Sequence, residues 1–215
     1  MERLTNFGMF AGITALAIGL GSLESVSAAQ LTESGDAGEL IPTAQLLPGG
    51  IDSVVGGISS DRDLYGFNWG GGNLALEVIS ASFDSQLFVF DSLGEIIGAN
   101  DDGGVGLLSL LSGNLTSGLY YVGIGAFNSD PLNSFGQDIE DPLGGGSSTA
   151  FQPGQCGLSL TDCTLSSWRS NRRSGDYTVR FSSPTIAADV PTPALLPGLV
   201  GMGAALIRKR KQEAS

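Results

Sequence analysis

Apolar and polar positions alternate through most of the chain between residues 51 and 181, in short runs separated by Gly, Asn, Asp and Ser. Leu74, Leu76 and Val78 alternate with Ala75, Glu77 and Ile79, and Tyr177, Val179 and Phe181 alternate with Asp176, Thr178 and Arg180. A period of two puts successive side chains on opposite faces of an extended strand, so one face can enter a core while the other meets water. This pattern predicts strands over residues 51–58, 64–69, 74–79, 86–90, 95–99, 107–111, 119–126 and 177–181. About eight short strands are enough for two packed sheets. The expected fold is all-β, a β-sandwich resembling a jelly roll; a partly open barrel is compatible with the same alternation.

The stretch 83–104, FDSQLFVFDSLGEIIGANDDGG, reads as a β-hairpin with acidic residues at both ends. A two-residue loop within Asp91-Ser92-Leu93-Gly94 sets Phe90 opposite Glu95 and therefore Asp84 opposite Asp101. A slip of one or two positions moves Asp84 beside Asp102 or Gly103, so Asp84, Asn100, Asp101 and Asp102 gather at one end in each register. Oxygen donors grouped in this way suit calcium, which takes about 6 to 8 oxygen ligands at ~2.3 to 2.6 Å. The Asn-Asp-Asp-Gly-Gly run is also ordinary turn chemistry, with carboxylates that simply face water. Asp91, at the turn itself, is expected to hydrogen-bond its own backbone. Asp61 and Asp63 precede the second strand, and nothing in the sequence sets their distance from the cluster.

Composition narrows the chemistry. The chain of 215 residues has 22 acidic and 10 basic residues, a formal net charge of −12 and no histidine. Nucleic acid is not an expected partner, because phosphate backbones are held by clustered cations. Histidine-based triads are excluded, and so are Ser-Lys dyads, since the lysines, Lys209 and Lys211, lie in the terminal tail. Zinc bound through imidazole is excluded likewise. Paired carboxylates such as Asp84 and Asp101 leave a glycoside hydrolase as the remaining enzymatic class, behind a non-catalytic protein.

The two ends carry targeting patterns. Residues 9–20, MFAGITALAIGL, form an apolar run after Arg3, followed by Val26-Ser27-Ala28-Ala29. This is the order of a secretory signal peptide, here residues 1–29 with cleavage after Ala28 or Ala29; an uncleaved anchor is the alternative. Residues 30–50 show no sustained period and read as a lead-in. At the other end, after a linker over 184–189, Val190, Pro191, Thr192, Pro193 and Ala194 precede an apolar segment to Ile207 and then Arg208-Lys209-Arg210-Lys211. As a helix, residues 194–207 would measure about 21 Å, short of a ~30 Å hydrocarbon core, which favours transient membrane insertion over a permanent span. The basic tail would stay cytoplasmic and place the domain outside.

Between the last two predicted strands lies an insertion, residues 128–174, of about 47 residues. It holds the two cysteines of the chain, Cys156 and Cys163, whose pairing is expected in an oxidising compartment. Metal binding by two isolated thiols is the weaker alternative. Trp168 with Arg169, Arg172 and Arg173 forms a local cationic cluster that could hold an acidic extracellular polysaccharide. The competing reading is that these arginines pair with Asp138, Glu140 or Asp141, or are simply solvated.

Five short motifs occur in order: Asp61-Arg-Asp-Leu-Tyr-Gly-Phe67, Phe83-Asp-Ser-Gln-Leu-Phe-Val-Phe-Asp91, Gly98-Ala-Asn-Asp-Asp102, Gly118-Leu-Tyr-Tyr-Val122 and Gly175-Asp-Tyr-Thr-Val179. Together, over roughly residues 51–183, they resemble the bacterial pre-peptidase C-terminal domain and related exported domains. The resemblance implies a β-sandwich accessory domain, sometimes calcium-binding. With no room beside it for a catalytic domain, peptidase activity is not expected. The tail at 190–215 resembles the PEP-CTERM class of bacterial sorting signals, with Thr192 where that class commonly has Glu. The combined expectation is a non-catalytic protein exported to the cell surface or extracellular matrix, handled by the export machinery and a C-terminal processing enzyme. A carbohydrate-binding or adhesion module is the alternative.

Overall fold

The computed structural model describes residues 29–169, 172–183 and 185. The expected signal peptide up to Ala28 and the sorting signal at 190–215 lie outside the described residues. No helix among the described residues is long and apolar enough to cross a membrane.

Among the described residues twelve strands run in chain order: β1 Ala29–Thr32, β2 Gln45–Leu46, β3 Ile51–Ser59, β4 Asp63–Trp69, β5 Gly72–Ala81, β6 Ser85–Phe90, β7 Ile96–Asn100, β8 Leu110–Leu115, β9 Gly118–Ala126, β10 Pro131–Leu132, β11 Ser167–Trp168 and β12 Ser174–Phe181. Ten of them form two five-stranded sheets, ordered β1-β3-β12-β5-β8 and β2-β4-β9-β6-β7, while β10 and β11 make a separate ribbon. The parallel pairs are the edge pairs β1 with β3 and β2 with β4. Without those short edges the sheets read first-eighth-third-sixth and second-seventh-fourth-fifth, the strand order of a jelly roll.

The core between the sheets is filled from alternate positions of both: Val54, Leu74, Leu76, Val78, Val179 and Phe181 from one, Tyr65, Phe67, Leu87, Val89, Val122 and Ile124 from the other. The expectation of about eight strands is therefore short by four. Two of these come from the lead-in, which supplies an edge to each sheet, and two from the insertion. A strand of two to four residues is too short to display a period. The strand expected at 107–111 starts later, at Leu110; Leu107 is exposed and Leu108 only borders the core. Ser109 is held by Ser85, whose hydroxyl accepts its backbone N–H at 3.1 Å.

The hairpin of β6 and β7 also departs from its expected register. Leu87 faces Asn100, Phe88 faces Ala99 and Val89 faces Gly98, with a shift before Phe90 and Ile96. Its loop has three residues rather than two, because Gly94 adopts φ +82° and inserts one extra position. Asp91 caps this loop: its carboxylate accepts the backbone N–H groups of Leu93 at 2.8 Å and Glu95 at 3.0 Å.

The insertion does not project from the sandwich. Ile139, Leu143, Cys156 and Cys163 pack on Leu64, Phe88, Phe90, Ile96 and Tyr121, which point away from the central core. The disulfide between Cys156 and Cys163 is formed, with 5.9 Å between Cα atoms, and lies inside this second core. Trp168 closes it, its ring edge-on to Phe88 and Phe90 and its indole N–H donated to the carbonyl of Glu39 at 2.6 Å.

Candidate metal centre

The far end of the β6–β7 hairpin is shaped by Asn100. Its side-chain oxygen accepts the N–H groups of Gly103 and Leu110, each at 2.8 Å, and its amide donates to the carbonyls of Gly146 at 3.2 Å and Ser148 at 3.1 Å. Four bonds of this kind use the whole capacity of a buried amide. Asn100 thus ties three segments together, namely the end of β7, the loop leading to β8 and the insertion. Gly103 has to be glycine for this to work, since a Cβ there would stand 2.5 Å from the Asn100 side-chain oxygen.

Around this post Asp84, Asp101 and Asp102 each offer a carboxylate oxygen, all within 4.8 Å of one another. Two oxygens on opposite sides of one calcium ion stand about 4.8 Å apart, twice a typical Ca–O distance of ~2.4 Å, so the three lie close enough together to share one ion. One oxygen of Asp84 and one of Asp101 are buried without a hydrogen-bond partner. A cleft of about 450 Å³ opens beside them, between Asp101, Asp102 and Gly103 on one side and Gly145, Ser147 and Thr149 on the other. Burial first, then the charges of Asp102 and Asp84, push the Asp101 carboxyl up to about 6. The Asp84 carboxyl is raised by burial and by Asp102, with Arg173 acting in the opposite direction. The donor set fits a hard divalent cation: three carboxylates, no nitrogen or sulfur, and a cleft wide enough for water to complete the shell.

Of the other acids and bases singled out by the sequence, Arg173 stands near enough to act on Asp84, and the rest have other partners or face water. Asp61 accepts the backbone N–H of Ser59. Asp63 is buried and accepts the hydroxyl of Tyr177 at 2.7 Å, and that hydroxyl lies 2.7 Å from the hydroxyl of Tyr65. Burial pushes the Asp63 carboxyl up to about 7, against the opposing Tyr177 hydrogen bond. Arg169 pairs with Asp130 and Asp138, Arg173 lies over the ring of Phe127 at 5.8 Å, and Arg172 is exposed.

A second carboxylate group escaped sequence reasoning. Asp130, Asp138 and Glu140 also converge within 4.8 Å, inside the insertion. Asp130 stands immediately before β10, Asp138 bridges to Leu132 in that strand, and Glu140 donates its backbone N–H to Asp138 at 3.0 Å. The sequence signal was faint: Asp138 and Glu140 are two apart, hence on one side of an extended segment, while Asp130 joins them only through the ribbon. Glu140 is pushed up to about 8, by burial first and then by Asp130 and Asp138.

No family model matches this sequence, and no curated protein matches it. Among solved structures the chain is similar to the pre-peptidase C-terminal domain of a Bacillus anthracis collagenase, at 11% identity and TM-score 0.36, covering 72% of this chain and 95% of that one. It is also similar to PliG of Aeromonas hydrophila, a periplasmic inhibitor of g-type lysozyme, at 12% identity and TM-score 0.33, covering 74% and 97%. The fold assignment rests on the strand order of the protein itself, in which the five sequence motifs fall on β4, β6, the end of β7, β9 and β12.

Proposed function

We propose that this is a non-catalytic exported protein of the cell surface or extracellular matrix, in which calcium at Asp84, Asp101 and Asp102 clamps the insertion onto the sandwich. The observation that carries this reading is the pair of buried, unpartnered oxygens on Asp84 and Asp101, of which Asp101 lines the cleft. A buried oxygen without a donor on a partly buried carboxylate is costly, and an ion that coordinates it removes that cost. Asn100 serves the site by holding the loop, not as a ligand, since its oxygen already accepts two N–H groups. The backbone of Asp101 donates to the carbonyl of Gly146 at 2.9 Å, so an ion on Asp101 tightens the join between β7 and the insertion.

Export and sorting are part of the same proposal and rest on the sequence patterns at 1–29 and 190–215. The absence of histidine and the confinement of lysine to the tail support a non-catalytic role. The glycan-patch reading draws less support, because Trp168 is packed on two phenylalanines and Arg169 is paired with two aspartates.

Calcium affinity in the ~10⁻⁴ to 10⁻³ M range of extracellular modules is expected. At roughly thirty times Kd an ion bound only to the folded state adds about 2 kcal/mol of stability. The melting temperature is therefore expected to rise with calcium and fall back with chelator, and Asp101→Asn is expected to shrink the response. A melting temperature indifferent to both additions would sink the proposal. Intact mass of the exported protein tests the sorting half: retention of the 208–211 segment would mean no C-terminal processing.

A further inference from the structure

The acidic group within the insertion has the ingredients of a site in its own right. Glu140 is only 5% exposed, its Oε2 is buried without any hydrogen-bond partner, and one of its carboxylate oxygens lies within 4.8 Å of carboxylate oxygens of Asp130 and Asp138. The guanidinium of Arg169 reaches Asp130 through one amino group and Asp138, at 3.2 Å, through the other, but makes no bond to Glu140. With all three acids ionised the group carries three negative charges, of which the one guanidinium offsets a single one; a divalent cation in its place offsets two, and the donors are oxygens alone, as calcium prefers.

Arg169 is held in a way that lets it yield. Its backbone is fixed on both sides, the N–H donated to the carbonyl of Asp130 at 2.8 Å and the carbonyl accepting the Arg62 guanidinium. Its side chain is 48% exposed, whereas those of Asp130 and Asp138 are 6% and 11% exposed. The arginine can swing into water without disturbing the ribbon, and the acids cannot follow it. We propose that Asp130, Asp138 and Glu140 form a second divalent-cation site, of calcium chemistry, guarded by Arg169, whose guanidinium holds the two aspartates until an incoming ion displaces it.

Equilibrium dialysis of the purified protein against radioactive calcium chloride tests this. The wild-type protein is expected to bind two ions per chain, and Glu140→Gln one. Removing the competing cation with Arg169→Gln is expected to tighten the second site by about ten-fold or more, since a like charge at the site opposes the ion. A gain of affinity cannot come from misfolding, so this variant keeps the test decisive if Glu140→Gln folds poorly. Asp101→Asn combined with Asp102→Asn separates the two sites: loss of that pair alone must leave the ion at Glu140 in place. The proposal is overturned if wild-type and Arg169→Gln proteins bind no more calcium than Glu140→Gln, the outcome expected if a proton on Glu140 completes the neutralisation.

Discussion

The two sheets of the sandwich use similar residues and meet different neighbours. On the outer side of β5 and β12, Ile79, Asp176 and Arg180 reach water, and burial alternates over residues 74–79 and 176–181. In β6 and β7 every residue is buried, because the outward-pointing Phe88, Phe90 and Ile96 lie under the insertion. A sheet covered on both faces loses its alternation. The difference shows that the long connection is a structural layer, with its own core, its own disulfide and its own acidic group. It also explains why both carboxylate clusters occur where they do, for each lies at or within the layer that the insertion adds.

Truncating one outward-facing residue on each sheet separates the covered face from the bare one. Phe88→Ala is expected to cost about 3–5 kcal/mol, as for other buried aromatic residues. Ile79→Ala, at a position 42% exposed, is expected to stay within about 0.5 kcal/mol. Equal midpoints of urea denaturation for the two variants would mean that the insertion does not pack as described.

Next in size is the polar contact at the central core. Asp63 rises from 3.8 to about 7 on folding, so between those values the folded state binds a proton that the unfolded state does not. Stability is therefore greatest at the acid end of this window and declines as pH rises through it. One pKa unit is worth about 1.36 kcal/mol, so the decline is on the order of 4 kcal/mol. Asp63→Asn should remove this part of the profile, and denaturation curves from about pH 4 to pH 8 compare the two proteins. Parallel profiles would deny Asp63 that role and leave the central core as apolar in its energetics as the outer one.

The smallest effect concerns the staple. Its closed loop of about 8 residues is worth about 2.5 kcal/mol in the chain-entropy model, and the disulfide lies within the outer core. Cys156→Ser with Cys163→Ser should loosen that core before the inner one. Trp168 belongs to the outer core and Trp69 to the inner, so each can report separately. Fluorescence of single-tryptophan variants should show the Trp168 transition at lower denaturant; coincident transitions would merge the two cores into one cooperative unit.

Several features were legible in the sequence because they are local. Alternation at 74–79 and 177–181 located strands, the position of Asp91 at a turn predicted its bonds to its own backbone, and the two cysteines predicted their pairing. The acidic end of the hairpin was legible in part. Asp84, Asp101 and Asp102 do come together, but in a register displaced by two positions, one from the extra loop residue at Gly94 and one from the shift between Val89 and Phe90. Asn100 was read as a fourth donor, yet its oxygen is taken by Gly103 and Leu110, ten residues away in the second case. From the sequence, residues 86–90 read as a hairpin strand and no more, whereas the structure buries Leu87, Phe88, Val89 and Phe90 alike, on both faces of the sheet.

Period, turn chemistry and loop closure depend on residues close along the chain, and they located the eight longer strands, one of them a few residues early, together with the turn at Asp91 and the cysteine pair. Tertiary structure alone decided which strands pair, which sheet carries the insertion, and which acids lose their water. Glu140 and Asp102 are equally acidic in sequence, yet Glu140 is enclosed by the second core and pushed up to about 8 while Asp102 stays exposed. Desolvation is set by every atom within a few ångströms, wherever it lies in the chain, and for Glu140 those atoms are assembled only when the insertion folds onto the sheet.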